Sequence, residues 1–184
     1  MSTLLTPSMA AKHLACGQLI AYPTEAVYGL GCDPNNTSAV KSVLSLKGRD
    51  KGKGFIIIAS DITQLEPFIE PPNEFETQRL NEVWPGPVTF VVRAKPHLPS
   101  ILTGGRNTLA VRVSSHPVVK TLCNECGHAL ISTSANLSGK SALTSADEVW
   151  REFGASLAGV VTGSLGNLKS ATPIFSLDTG EQLR

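Results

Sequence analysis

Apolar residues along this chain come in short runs separated by Pro, Gly and polar clusters, a pattern that predicts strands and helices in succession. Leu19-Ile20-Ala21-Tyr22 reads as a strand. A turn containing Pro and Gly follows, then a helix from about Ser38 with Val40, Val43 and Leu44 as its buried stripe. Phe55-Ile56-Ile57-Ile58-Ala59 is apolar throughout and rich in β-branched residues, which predicts a strand covered on both faces. Helical patterns over about 61–68 and 74–82 come next and are broken by Trp84-Pro85-Gly86-Pro87. The stretches from Val88 to Val92 and from Leu109 to Val113 read as strands, and Pro117 opens a helix through about Glu125. Leu130-Ile131 predicts a short strand, followed by a Ser/Thr/Asn loop over 132–141 and a helix at about 145–153. Short strands are predicted near 159–162 and 174–177. Some strands follow one another with no helix between them. The expected fold is therefore α/β, a mixed parallel and antiparallel sheet flanked by helices.

Length and linkers set the domain count. A chain of 184 residues, 41% of them hydrophobic, can bury one sizeable core but not two, so one domain over 1–184 is expected. No repeat, low-complexity stretch or Gly/Ser linker marks a boundary. The formal net charge of +1 argues against a protein that mainly coats nucleic acid, which needs clustered Lys and Arg. That small total hides a division: six acidic residues and only Arg79 lie between Asp61 and Glu82, a local net of −5, which leaves about +6 elsewhere.

No apolar run approaches the ~20 residues of a membrane helix, and Met1-Ser2-Thr3-Leu4 lacks signal-peptide features, so a cytoplasmic location is expected. Cys16, Cys32, Cys123 and Cys126 would then be thiols. Cys123 and Cys126 have the spacing of half a zinc site, but no second pair completes it, and no protein metal site is expected.

Missing motifs narrow the chemistry. There is no Walker-A loop, no Gly-x-Ser-x-Gly elbow and no His-Glu-x-x-His, and Pro34 stands where a dinucleotide fingerprint after Gly29-Leu30-Gly31 needs its third glycine. His13, His97, His116 and His128 are scattered. Three segments remain. Lys47-Gly48-Arg49-Asp50-Lys51-Gly52-Lys53-Gly54 gathers four cations among glycines and could fold around a triphosphate, or could simply complement a helix dipole. Ser132-Thr133-Ser134-Ala135-Asn136 follows an apolar strand, where hydroxyl and amide groups can fix a ligand or cap a turn. Tyr22-Pro23-Thr24-Glu25-Ala26-Val27-Tyr28-Gly29-Leu30-Gly31 combines a hydroxyl, a carboxylate and two glycines that would let backbone approach a small ligand.

Taken together, Pro-Thr-Glu-x-x-Tyr-Gly-Leu-Gly, then Lys-x-Arg about 20 residues later, then Ser-x-Asn, resemble the YrdC-like threonylcarbamoyl-AMP synthase family. Trp84-Pro85-Gly86-Pro87-Val88-Thr89, Leu109 to Val113 with His116-Pro117, and Ser138-Gly139 extend the likeness from about residue 8 to the C-terminus. The resemblance implies the short form of the family, a YrdC/RibB-like twisted sheet with a positively lined concave surface. It also implies synthesis of threonylcarbamoyl-AMP and diphosphate from L-threonine, bicarbonate or CO2, and ATP, with Mg²⁺ accompanying ATP. Carried over by position, Lys47, Arg49, Lys53, Ser134 and Asn136 would contact ATP, with Lys47, Arg49, Ser134 and Asn136 catalytic. Thr24, Arg112, Ser132 and Thr172 would form the threonine pocket. The product would serve threonylcarbamoyladenosine modification of tRNA, reached directly or through transfer proteins. Relatives often have Pro after the position of Lys53 and a Pro-Ser or Ser-Thr pair near the C-terminus, where this chain has Gly54-Phe55 and Ser170-Ala171-Thr172-Pro173. Two other readings share these residues: a non-catalytic tRNA or double-stranded RNA binder, for which aromatic residues at 5% are scarce, and another carbamoyl-adenylating module.

Overall fold

The computed structural model describes residues 3–184. Met1 and Ser2, where the expected domain 1–184 and the segment read for a targeting signal begin, lie outside the described residues. In chain order the strands are β1 (Leu4–Leu5), β2 (Ile20–Pro23), β3 (Tyr28–Gly31), β4 (Ile56–Ala59), β5 (Thr89–Arg93), β6 (Thr108–Val113), β7 (Leu130–Ser134), β8 (Gly159–Val161) and β9 (Ile174–Ser176). The α-helices are α1 (Pro7–Ala15), α2 (Thr37–Lys47), α3 (Glu74–Val83), α4 (Ser100–Thr103), α5 (Pro117–Cys126) and α6 (Ala146–Phe153).

The nine strands among the described residues join one sheet in the order β1-β8-β2-β3-β7-β4-β6-β5-β9. β8 runs parallel to β1 and β2, β4 to β6, and β5 to β9; the β2/β3, β3/β7, β4/β7 and β5/β6 pairs are antiparallel. The sheet is mixed, as the chain pattern predicts. Neighbouring residues of one strand feed different cores, because successive side chains leave opposite faces. Ile57, Ile131 and Val160 join the larger cluster with Val40 and Val43 of α2 and Phe153 of α6. Ile58, Leu130 and Val161 join the smaller one with Leu14 of α1 and Val119 and Leu122 of α5. This accounts for the unbroken apolar run at 55–59, which is buried from both sides.

Local chemistry fixes the boundaries. Asn73 and Glu76 form a capping box at the start of α3, and Ser145 and Glu148 form one at α6. α2 starts on an Asn36 side-chain cap and stops at Gly48, which is left-handed (φ 56°). The helix expected at 61–68 is instead a 3-10 helix, Ile62–Leu65; Asp61 caps its start, and Pro67 lacks the N–H that continuation needs. The loop expected at 132–141 starts only after Ser134, because Ser132 and Ser134 pair with Ile56 and Gly29 in register. β1, α1, β3 and α4 are additions to the predicted elements. No helix among the described residues is long and apolar enough to cross a membrane.

Candidate active site

On the face of the sheet that carries the smaller core, α1 and α5 leave the centre uncovered, and a cleft of about 260 Å³ opens over β3, β7, β4 and β6. Its floor follows from strand periodicity. Leu130, Ser132 and Ser134 share a face of β7; Leu130 lies in the core, and the two serines carry the same row into the cleft. Ile56 and Gly29, their register partners, lie beside them. The walls are the turn at Thr24–Val27, Arg49, the loop around Asn136 and Lys140, and Thr172.

Seven of the nine expected residues line this one cleft: Thr24, Arg49, Arg112, Ser132, Ser134, Asn136 and Thr172. They come from five separate segments. Arg49 donates from Nε to the Gly54 carbonyl at 3.2 Å and lies 5.6 Å from the Phe55 ring centroid, a cation–π contact that ties the guanidinium down. Its terminal nitrogens have no protein acceptor among the described residues. Gly54 is itself required: it has φ 59°, and a Cβ there would stand 2.7 Å from the Leu102 carbonyl oxygen.

The two other expected residues lie outside the cleft. Lys47 is only 3% exposed, and its ammonium donates to the Ser134 carbonyl, to the Asn136 carbonyl at 2.7 Å and to Asn136 Oδ1 at 3.2 Å. All three of its N–H groups are thus occupied by the Ser-x-Asn segment. Burial, and secondarily Arg49, lower its pKa to about 8. Lys53 is exposed and borders a separate small cavity with Phe55 and Val91. Asn136 completes the loop: Oδ1 accepts from Ser134 Oγ at 2.6 Å, and Nδ2 donates to the carbonyls of Leu137 and Lys140 at 2.9 and 2.7 Å.

At the other end Arg112, 4% exposed, donates from Nη1 to Thr172 Oγ1 at 2.6 Å and Thr89 Oγ1 at 3.1 Å, and pairs with Glu25 at 3.2 Å. Thr24 donates its hydroxyl to the Val27 carbonyl at 2.7 Å, so towards a ligand it offers lone pairs. The glycines of this segment serve packing as well as access. A Cβ on Gly31 would lie 2.6 Å from the Tyr22 ring and 2.9 Å from the Ile131 carbonyl oxygen, whereas Gly29 lines the cleft itself.

Arg184 and Lys140 also line the cleft from outside the three singled-out segments, and Tyr28 and Thr133 line it from within two of them, although none of the four was assigned a role from the sequence. The Arg184 guanidinium donates to the Thr172 carbonyl at 2.9 Å. It is brought there by a return of the chain against β9, in which Ile174 and Arg184 are joined by backbone hydrogen bonds. Burial lowers the pKa of Arg184, with a smaller contribution from Arg112, and burial and then Arg184 lower that of Arg49. Every charged residue in the lining is cationic: Arg49, Arg112, Lys140 and Arg184. Converging cations without a lining carboxylate favour a polyanionic ligand.

Known proteins resemble this chain in sequence and in fold. The family model Sua5_yciO_yrdC, described as telomere recombination, matches residues 12–183. The threonylcarbamoyl-AMP synthase of Serratia proteamaculans is 47% identical over 100% of this chain and 96% of its own, and that of Nitrosococcus oceani is 44% identical over 96% and 95%. The crystal structure of P. abyssi Sua5 complexed with L-threonine superposes with a TM-score of 0.90 at 28% identity, covering 98% of this chain and 56% of that longer one. E. coli YciO, at 23% identity and a TM-score of 0.85 over 100% and 95% of the two chains, shares the fold. The matched family model and the nearly full-length relatives agree with the architecture, and this chain belongs to the Sua5/YciO/YrdC family.

Proposed function

We propose that this chain is an L-threonylcarbamoyladenylate synthase, a nucleotidyltransferase that forms threonylcarbamoyl-AMP and diphosphate from L-threonine, bicarbonate or CO2, and ATP. The observation that carries the reading is the placement of seven expected residues around one cationic cleft with hydroxyl groups at its floor. Close relatives named for this activity over nearly their whole length support it.

In this reading Arg112 and Thr172 receive the threonine carboxylate and side chain, with Thr24 and Ser132 beside them. Threonine's amine bonds to the carbon of CO2 and loses a proton, giving a carbamate. A carbamate oxygen then bonds to the α-phosphorus of ATP as the bond to the bridging oxygen breaks and diphosphate leaves with that electron pair. Charge spreads over phosphate oxygens in such a transfer, so fixed cations and alignment supply most of the catalysis. Arg49 and Arg184 are placed to balance that charge, and the Ser134–Asn136 loop to hold the nucleotide. Lys47 contributes by fixing the loop. Lys53 is outside the cleft and is assigned no phosphate contact. No group of three or more His, Cys, Asp and Glu able to hold a metal occurs among the described residues, so Mg²⁺ arriving with ATP would be bound through phosphate oxygens.

The proposed arrangement is one domain over 1–184, acting in the cytoplasm and passing its adenylate to tRNA directly or through transfer proteins. Diphosphate release should depend on threonine, fall with serine and fall further with valine, because a site that hydrogen-bonds a hydroxyl rejects an analogue lacking it. Equal release with threonine, valine and no amino acid would refute the assignment.

A further inference from the structure

Glu25 is 6% exposed and does not line the cleft, yet one of its oxygens is hydrogen-bonded beside Arg112 and the other lies at ion-pair distance from it. Oε1 accepts from Ser114 Oγ at 2.6 Å, and that serine oxygen accepts the backbone N–H of His116 at 3.1 Å. Oε2 forms an ion pair with Arg112 Nη2 at 3.2 Å, and neither Oε2 nor Arg112 Nε has a hydrogen-bond partner among the described residues. The backbone carbonyls of Thr24 and Glu25 accept from the N–H groups of Gly166 at 2.9 Å and Leu168 at 3.1 Å, in the segment that leads to Thr172. Glu25 therefore joins the Pro-Thr-Glu turn, the end of β6 and the Thr172 segment. A buried guanidinium needs a counter-charge, and a fork held on one edge by a carboxylate and at Nη1 by two hydroxyls has little rotational freedom left.

We infer that Glu25 is the positioning residue of the amino-acid end of the cleft, fixing the plane of Arg112 so that its fork meets the carboxylate of an incoming amino acid, with Ser114 holding Glu25 in turn. This rests on the proposed reading that Arg112 receives the threonine carboxylate. Among the described residues the Glu25 side chain bonds Ser114 and pairs with Arg112, and it reaches the nucleotide end only indirectly, through Arg112 and Thr172 to Arg184. Its effect should accordingly fall mainly on the amino acid. Glu25→Gln keeps the length of the side chain but turns an N–H toward the guanidinium or moves it away. Ser114→Ala removes the prop and leaves the charge in place.

The test is steady-state diphosphate release by purified wild type, Glu25→Gln and Ser114→Ala, varying threonine and ATP separately, with circular dichroism for folding. Loss of a charge-assisted positioning contact should raise the threonine KM about 10-fold or more in Glu25→Gln and about 3-fold in Ser114→Ala, with the ATP KM unchanged within about 2-fold. If Glu25→Gln does not fold, Ser114→Ala decides alone. A threonine KM that stays at the wild-type value in a folded variant, or an ATP KM that rises alongside it, overturns the role of Glu25. Wild type without threonine-dependent release would instead overturn the functional reading beneath it.

Discussion

The ammonium of Lys47 donates to both oxygens of Asn136, the carbonyl at 2.7 Å and the side chain at 3.2 Å, so the last residue of α2 holds the loop that follows β7. Two motifs nearly ninety residues apart are thereby one structure. The Lys-x-Arg pair divides its labour: Lys47 faces inward to the Ser-x-Asn loop, and Arg49 borders the cleft.

Lys47→Met should unfasten that loop while Lys51→Ala and Lys53→Ala leave it intact, although each removes one charge from the same cluster. Losing the ammonium removes the donor of the Ser134 and Asn136 carbonyls from a part-buried contact, at a cost of about 1 kcal/mol or more in stability, and weakens ATP binding. The exposed lysines should stay within about 0.5 kcal/mol of wild type and close to its turnover. Urea denaturation and titration with a non-hydrolysable ATP analogue measure both. Loss of ATP binding in Lys53→Ala with an intact fold would restore that residue to the site.

Lys47 also sets a pH dependence. Its folded pKa is about 8, below the ordinary 10.5, because burial opposes the charged form. Between those values the folded chain has released a proton that the unfolded chain retains, so this group's contribution to stability rises with pH. Nucleotide affinity should move the other way, since neutral lysine has one donor fewer for the loop. Binding of the ATP analogue without threonine should weaken as pH passes about 8 in wild type, and the limb should be missing in Lys47→Met.

The paired glycines of β3 separate packing from access. Gly31→Ala drives a methyl into the Tyr22 ring and the Ile131 carbonyl and should destabilise the fold by about 2 kcal/mol or more. Gly29→Ala meets Ser132 Oγ and Thr24 Cγ2 at 3.4 Å, a distance that needs little movement. It should fold and raise the threonine KM by narrowing the cleft floor. Thermal denaturation and threonine kinetics on the two variants distinguish them.

Much of the fold was legible because burial leaves a periodic record: the apolar run at 55–59 marked a doubly covered strand, and the stripe at Val40 and Val43 marked α2. β3 escaped because Tyr28-Gly29-Leu30-Gly31 has the composition of a turn, and its glycines make strand sense only beside the Tyr22 ring. β7 looked two residues long because its polar end lies in the cleft instead of the core. α1 had a local signal in Thr6-Pro7, a side-chain cap followed by a proline in the first turn, with Ala10 and Leu14 buried one turn apart. Within the site, Arg112 and Thr172 followed from motif position, but Arg184 did not. Its place depends on the chain folding back along β9 to the Thr172 carbonyl. The burial of Lys47 was equally invisible, since Lys47 and Lys53 are cations of one cluster until a helix end turns one inward.

The most direct test of the central claim is to incubate the purified chain with ATP, L-threonine and ¹³C-bicarbonate and analyse the quenched mixture by mass spectrometry. The account predicts an adenylate carrying both threonine and the labelled carbon, formed together with diphosphate and lost when Arg49 is changed to alanine. Diphosphate formed without a labelled threonyl adenylate, or the same labelled product at an undiminished rate from folded Arg49→Ala, would contradict it.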